Sequence, residues 1–525
     1  MNEKLNKKLV KCISAIWAVM FSVTIFLLLG KQMIWDVYTT KPFTTENAGY
    51  LILGLFLVVI LFALNSHFGN QIQLILIKYE RILLTTSLML LLIWNLYACY
   101  GGYFYSGWDA GVIHTTVFNE LNYEYDQLDN IYFSWYPNNK LLVWIFTFVL
   151  KVARKFGIQT LDFVLVAFQI ILGVFSMWLV YKIIFEMLHS YKVAWMAYLS
   201  SCFFVGVSPW YIVAYSDATG IVFPLLIIRI YQLVRGKEKM VSRILLWILM
   251  GFIAMIGYLI KPQTAIAFIA VVIVEIILAV NDIRLNKLKI SAIRIASGLV
   301  GVLLCSLIYS NLIIPSLHFK DIPDKTMGMQ HYFMMGLNES TDGVYSEDDV
   351  AFTRSFESNE ERNSADMHKA KQRLQTYGAK GLLRHICRKQ IVNYNDGTFG
   401  WGCEGNSFIG DPEWANNRAS NLVRSYIKPE GSNYNKFISS KQTIWITILF
   451  FCCFTVFYRK TELSNEAEML LFLMMLSVLG LTIFELLFEA RARYLFCYSP
   501  IYVILAVLGM RNVFRYANIV MSYRK

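Results

Sequence analysis

The chain has 525 residues, 57% of them hydrophobic and only 16% charged, with a mean hydropathy of +0.48. No soluble domain of this size could bury that much apolar side chain, and the apolar runs reach the roughly 17 to 25 residues that a hydrocarbon core requires. The formal charge of +12 would point a soluble protein toward nucleic acid. Here Lys and Arg gather between the apolar runs, where they act as topology signals, so nucleic acid is not an expected partner. The expected class is an all-α polytopic membrane protein in the cell membrane, with membrane lipid around it.

The first apolar run, 9–35, follows Lys4, Lys7, Lys8 and Lys11. That charge pattern places the N-terminus in the cytoplasm. The run is too long for a signal-peptide core and lacks a small-residue cleavage site, so it is expected to stay as a span. A second span over 49–66 leads to Lys78 and Arg81 at the inner face, and a third over 82–100 returns the chain outside. The segment 103–140 is then an extracytoplasmic polar loop rich in aromatics, holding Asp109, Glu120, Glu124, Asp126 and Asp129.

The apolar stretch 139–152 is short of the roughly 20 residues needed to cross. If it crossed, the later basic loops would fall on the wrong side, so it reads as a juxtamembrane helix. Spans follow at 161–185, 193–212, 220–234, 244–260, 264–280 and 292–317, with RGKEK and NDIRLNKLK at the inner face. A large extracytoplasmic loop domain covers 318–441. Within it, Ser346 reads as a helix N-cap with Asp349 three residues on. Met367, Ala370, Leu374 and Tyr377 form an apolar stripe interrupted at Gly378 and Gly381, and NDGTFGWGCEG (395–405) reads as a turn-rich loop. Spans at 443–457, 469–488 and 495–508 complete a bundle of about twelve. Arg511, Arg515, Arg524 and Lys525 leave the C-terminus inside. The resulting division is an N-terminal membrane module (1–317), a loop domain (318–441) and a C-terminal membrane module (442–525).

The nine cysteines form no CxxC pair and no Cys/His cluster of metal-binding spacing; Cys387 and Cys403 share the polar segment but are not expected to pair. The chemistry is more promising among charges that abut apolar runs on the outer side. These are Asp109, Asp217 in AYSDATG, Lys261 in YLIKPQT, and Glu489, Arg491 and Arg493 in FEARARY. Ionisable groups at membrane depth are costly and tend to be functional. Their convergence from separate parts of the chain would suit an anionic lipid head group.

GWDAG in the first outer loop, WYPNN before a short helix, YSD after a later span and RARY before the last one resemble the GT-C superfamily. Its members are integral-membrane glycosyltransferases that use polyprenyl-phosphate sugars, the protein mannosyltransferases and aminoarabinose transferases among them. The stretches HYFMMGLN and NDGTFGWG look like its bacterial, cell-wall-directed members. Asp109 is followed by Ala110, not by the Glu of the protein mannosyltransferases, which sets a protein acceptor in doubt.

The resemblance implies a GT-C-like bundle with a juxtamembrane helix in the first outer loop. It also implies an inverting transferase that moves a sugar from undecaprenyl phosphate to an extracytoplasmic glycan acceptor, such as a cell-wall polysaccharide or teichoic acid. The lipid-phosphate sugar is the donor, no cofactor is certain, and a divalent metal is left open. Asp109 matches the superfamily's first-loop acid, which acts as general base or orients the acceptor, and Asp217 a second acid that positions the acceptor or a metal. Lys261, Arg491 and Arg493 would face the phosphate. Apart from the resemblance, Trp108, Tyr132, Trp135 and Tyr136 are aromatics that could stack on a sugar, and Asn138 and His331 are further candidate substrate contacts, His331 with a plain loop role as its competitor.

Plainer roles compete for several of these residues. Asp217 could cap a helix starting at Ala218, and Lys261 could snorkel to the interface. Glu489 and Arg493, four apart, could pair on a helix, which would leave Arg491 as the better phosphate ligand. Aromatics are expected at any membrane interface. Other functions also remain open. A flippase or transporter of lipid-linked saccharides would draw on Glu275 and Glu485 inside spans, and a polysaccharide polymerase or ligase would not need Asp109.

Overall fold

The computed structural model describes residues 7–34, 47–124, 126–281, 285–405, 407–412, 414, 417–459 and 463–522. Lys4, Arg524 and Lys525, which carry part of the orientation argument, lie outside the described residues, as does most of the expected loop 36–48. The chain is an all-α polytopic membrane protein. Among the described residues nine helices are long and apolar enough to cross a bilayer: Lys8–Gly30, Asn47–Gly102, Leu161–Leu188, Ser216–Arg235, Met240–Ile260, Pro262–Val280, Leu288–Ser316, Asn465–Leu487 and Ala492–Val520. Ile52, Phe56, Val59, Ile82, Leu90 and Ile93 stay exposed on the second of these. A face that apolar is tolerable only against lipid.

The helix Asn47–Gly102, at 56 residues, is too long for one crossing and breaks at Tyr79 (φ −118°, ψ 16°). The break falls between Lys78 and Arg81, where the charge pattern places a turn. The expected span 193–212 is not one regular helix. The α-helix Tyr191–Ser201 loosens into a π-turn at Cys202–Gly206 and ends in a 3₁₀ turn at Pro209–Ile212, because Pro209 cannot supply the N–H that would continue it. Only 443–452 of the expected span 443–457 is helical, at the end of the helix Tyr434–Cys452, whose first turns are polar; 453–456 continue as turns.

Two segments differ from the loops anticipated. The stretch 103–140 is mostly helical, with Trp108–Asn122, Gln127–Trp135 and then Lys140–Lys155. Ala110, Ile113, Val117 and Leu121, spaced three and four apart, are buried and supply the apolar face of the first. The glycine-dense segment 395–401 is buried inside the bundle. Asp396 organises it by accepting from the N–H groups of Thr398 at 2.7 Å and Gly400 at 2.8 Å. Trp210 Nε1 donates to the Thr398 carbonyl at 3.1 Å, and Trp401 Nε1 to that of Ile427 at 2.8 Å.

In the polar segment, Ser346 Oγ caps the helix Glu347–Arg354 through the Asp349 N–H. Asp349 does not reciprocate as in a capping box; its carboxylate meets Arg373 at 2.7 Å and Lys369 at 3.2 Å. The helix Asn359–Tyr394 breaks at Gly378 (φ 55°), within the expected interruption of the apolar stripe. Cys387 and Cys403 are not joined to each other.

A two-stranded antiparallel ladder, Tyr105–Ser106 with Phe408–Gly410, ties the first polar segment to the second. The helices Met240–Ile260 and Leu285–Ile308 pack backbone to backbone. A Cβ on Gly301 would meet the Ile248 carbonyl oxygen at 2.0 Å, and one on Gly251 that of Gly298 at 1.9 Å. Small residues permit this close approach in lipid. Gly301→Leu should therefore cost about 1–3 kcal/mol and lower the unfolding temperature in detergent, whereas Gly49→Ala, with open space around its Cβ, should not. Equal unfolding temperatures for the two variants would contradict this packing.

Candidate functional site

Three chain segments change direction at the same end of the bundle, and each turns a charged side chain inward. The helix Met240–Ile260 ends because Lys261 precedes Pro262, which disfavours a helical backbone before it. Lys261 is extended (φ −153°, ψ 104°) and buried, and its ammonium pairs with Asp217 Oδ1. Asp217 lies within the short helix Ser216–Gly220, whose N-cap position is held by Tyr215. The capping role considered for Asp217 is therefore not observed; its carboxylate is buried and committed to cations. Lys261 does not snorkel, since only 4% of it is exposed.

The third segment is FEARARY. Its backbone is extended at Phe488 and Arg491 before the 3₁₀ turn Ala492–Tyr498. Helical i,i+4 geometry does not apply there, and the expected pairing of Glu489 with Arg493 is replaced. Glu489 accepts from Arg491 Nε at 2.6 Å and from the Tyr494 hydroxyl at 2.8 Å. Arg493 instead faces Asp217 Oδ2 at 3.7 Å and Glu404 Oε2 at 3.3 Å, and Arg491 Nη1 donates to Glu404 at 2.7 Å.

Glu404 comes from the π-turn Trp401–Gly405, which the buried turn 395–401 holds against the bundle. Burial works to raise the Glu404 carboxyl, but the guanidiniums of Arg491 and then Arg493 outweigh it and hold the group below the usual carboxylate range.

The first polar segment closes over this cluster. Gly107 N–H donates to the Ser407 carbonyl at 3.0 Å. A Cβ on Gly107 would meet Ser407 Oγ at 2.7 Å and one on Gly111 the Ser106 carbonyl oxygen at 2.4 Å, which explains the two glycines of GWDAG. Trp108 opens its helix with φ 45°, a left-handed backbone uncommon for a bulky residue. Its indole lies under the Arg493 guanidinium at 4.5 Å and edge-on to the Tyr215 ring at 4.8 Å. The Tyr215 hydroxyl donates to Asp109 Oδ2 at 3.4 Å. Asn139 Nδ2 donates at 3.4 Å to both the Tyr215 and Tyr132 hydroxyls.

Asp109, Asp217, Lys261, Arg491, Arg493 and Trp108 are thus brought to one place. Asn138 is not among them: it is exposed, and its buried neighbour Asn139 occupies the position toward Asp109. Tyr136 lies at the edge, its ring 5.3 Å from that of Tyr132. His331 packs inside the polar segment, where its Nδ1 meets Thr353 Oγ1 at 2.7 Å.

Sequence reasoning missed Glu404, Tyr215, Asn139 and Tyr494. The signal for Glu404 was an acid inside a glycine-dense turn. The signal for Tyr215 was its place immediately before Ser216 and Asp217.

Several buried polar atoms of the cluster have no hydrogen-bond partner among the described residues: Arg493 Nε and Nη1, Trp108 Nε1, Asn139 Oδ1 and Asp217 Oδ2. Leaving a buried donor unpaired costs about 1–3 kcal/mol, so neighbouring orphaned donors mark a place built to be filled by an acceptor. Among the described residues no three His, Cys, Asp or Glu side chains gather as a metal-ligand set.

A family model described as "Conserved hypothetical integral membrane protein" matches residues 5–514. The chain belongs to that family. No curated protein and no solved structure matches it.

Two measurements check this geometry. Lys261→Met leaves the buried Asp217 carboxylate with only the longer contact to Arg493, at 3.7 Å, and should cost about 3 kcal/mol, most of which adding Asp217→Asn should restore. A single variant that unfolds at the parental temperature would remove the pair as a constraint. Burial pushes the His331 imidazole down from 6.5 to about 4 against the opposing pull of Glu489 and Asp349. A depressed folded pKa means that stability is full above the unfolded value and falls as pH drops from 6.5 toward 4, by up to about 3 kcal/mol. His331→Gln should flatten that part of the stability–pH curve; an unchanged curve would show that His331 is not buried neutral.

Proposed function

We propose that the chain is an inverting glycosyltransferase that moves a sugar from a polyprenyl (undecaprenyl) phosphate carrier to an extracytoplasmic glycan acceptor. The observation that carries this reading is the group of buried, unpartnered donors at Arg493 and Trp108, set beside a carboxylate, Asp109, on the neighbouring polar segment. A phosphate with accepting oxygens on every side suits the former. A hydroxyl that must lose its proton suits the latter. The reading keeps about twelve spans, with both termini cytoplasmic and the cluster at the extracytoplasmic end, and a cell-wall polysaccharide or teichoic acid as acceptor.

The chemistry follows from the placement. The acceptor hydroxyl oxygen forms a bond to the anomeric carbon on the face opposite the phosphate, and its proton passes to Asp109. The anomeric C–O bond to phosphate breaks, and its electron pair stays on the phosphate oxygen. The carrier thereby gains negative charge as it becomes a phosphomonoester, and Arg493, backed by Arg491, is placed to stabilise it. Tyr215, donating to Asp109 Oδ2 at 3.4 Å, and Tyr132, whose hydroxyl also bonds this carboxylate, hold Asp109 in place for the acceptor.

Asp217 serves this reaction by holding Lys261 and Arg493, a positioning role rather than that of a base. Arg493 replaces Arg491 as the principal phosphate ligand, because Arg491 already donates to Glu489 and Glu404. No step is routed through a metal. The competing transport reading drew on Glu275 and Glu485. Glu275 is engaged on both oxygens by Arg294 at 3.1 Å and Tyr231 at 2.9 Å, a pairing that supports a lock between helices; Glu485 is buried with neither oxygen hydrogen-bonded among the described residues and is the feature that favours the transport reading.

The test is transfer of labelled sugar from a synthetic polyprenyl-phosphate donor. Asp109→Asn should insert and bind donor like the parent but transfer about 10²–10⁴-fold more slowly. Parental transfer by Asp109→Asn would take Asp109 out of the mechanism, and absence of donor cleavage by the parent would sink the glycosyltransferase reading.

A further inference from the structure

Beyond the phosphate ligands, a second row of side chains runs from Asp109 out to solvent. Tyr132 bridges inward through Asn139 to Tyr215, and Tyr136 packs beside it. The Tyr136 hydroxyl accepts from Arg354 Nη2 at 3.4 Å. The Arg354 guanidinium lies over the ring of Trp135 at 5.2 Å and that of Tyr136 at 5.9 Å. Across from it, Tyr345 is exposed and lies under the Arg491 guanidinium at 5.8 Å.

The electrostatics tie these groups into one place. Burial raises the Tyr136 phenol to about 12 against the opposing pull of Arg354, with Tyr345 and Asp109 raising it further. Tyr345 is raised by burial and by Glu347, and it too feels Arg354, Arg491 and Asp109.

Arg354 differs from the other cations here. Lys261, Arg491 and Arg493 each face a carboxylate, whereas Arg354 is exposed and has no carboxylate partner among the described residues. Glu347, in the first turn of the same helix, forms no ion pair with it. The guanidinium rests against Trp135, whose ring also lies under Arg362 at 4.8 Å, and Arg354 Nη2 donates to the Tyr136 hydroxyl; these contacts place it while no carboxylate among the described residues takes up its charge. Planar, pre-organised guanidiniums suit carboxylates and phosphates. Aromatic side chains with polar tips suit the mixed apolar and hydroxylated faces of a sugar.

We propose that Tyr136, Tyr345 and Arg354 form the acceptor subsite, and that the acceptor is a glycan bearing an anionic group, phosphodiester or carboxylate, close to the hydroxyl that is glycosylated. This rests on the glycosyltransferase reading and deepens it. Asp109 defines where the reacting hydroxyl sits, and Arg354 selects acceptors by the charge next to that hydroxyl. An acceptor thus anchored at two points loses its freedom before the chemical step.

The experiment uses the full chain in nanodiscs and measures binding of three fluorescent oligomers: glycerol phosphate, galacturonate and neutral maltooligosaccharide. Binding of undecaprenyl phosphate is measured on the same samples. One or both anionic oligomers should bind the parent, weaken as salt is raised, and lose at least about tenfold in affinity in Arg354→Gln. Arg354→Lys should recover part of the loss. The two anionic arms identify phosphate or carboxylate as the group recognised.

Undecaprenyl phosphate should bind the parent and Arg354→Gln equally, and both should unfold at the same temperature. The subsite is overturned if the neutral oligomer binds as tightly as the anionic ones, if no oligomer binds, if anionic binding is indifferent to salt, or if Arg354→Gln keeps parental affinity. Failure of the parent to bind undecaprenyl phosphate would instead count against the glycosyltransferase reading itself.

Discussion

A carboxylate or ammonium taken out of water without a partner costs several kcal/mol, and that cost governs where this chain's helices can meet. Asp217 opens one membrane helix, Lys261 follows the end of another, Arg491 precedes the last and Arg493 lies in its first turn. Glu404 sits on a turn pressed into the bundle from a distant part of the sequence. None of these groups finds a counter-ion within its own segment except Glu489 and Arg491. The segments must therefore come together at one end, and the pairing Asp217–Lys261 with Arg493, Glu404 and Arg491 is the shared condition that brings them there. The buried turn 395–401 and the short ladder to Tyr105–Ser106 deliver the remaining carboxylates to the same place.

That cluster is electrically balanced: Lys261, Arg491 and Arg493 stand against Asp217, Glu404 and Glu489. Net charge alone would not draw in a phosphate. What the cluster offers is directed N–H groups whose orientation the surrounding rings already fix. The Arg493 guanidinium lies over both the Trp108 and the Tyr215 rings, which limits how its orphaned nitrogens can turn. Binding an anion there asks Glu404 to share Arg493, and Glu404 keeps Arg491 when it does. Such an arrangement favours a ligand of defined shape over any passing anion, in keeping with a site that reads a phosphodiester rather than bulk negative charge.

Much of this was legible in the residues. Hydropathy and the Lys/Arg pattern gave the membrane class and the helical break at Lys78–Arg81, and charges abutting apolar runs gave Asp217, Lys261, Arg491 and Arg493. Ser346 was legible as a cap because its hydroxyl and the residue three positions on follow a local rule. The partners within the cluster were not, because they depend on backbone conformation. An extended stretch at 488–491 pairs Glu489 with Arg491, where a helix would have paired it with Arg493. The first polar segment was taken for a loop because its acids and aromatics outweigh a modest apolar stripe at Ala110, Ile113, Val117 and Leu121. Glu404 was hidden because nothing local reveals that the glycine-dense turn before it is buried. Asn138 and Asn139 differ by one position, and only the turn at Pro137 decides which of them faces inward.

The central claim is that Arg493 and Trp108 hold the phosphate of a lipid-linked sugar while Asp109 stands across from its anomeric carbon. An experimental structure of the chain in nanodiscs with undecaprenyl phosphate tests it most directly. The account predicts phosphate oxygens within hydrogen-bond reach of Arg493 Nη1 and Trp108 Nε1, with the prenyl tail running down the bundle. Phosphate bound away from Arg493, with the Asp217–Lys261–Arg493–Glu404 cluster unchanged and uncontacted, would contradict it.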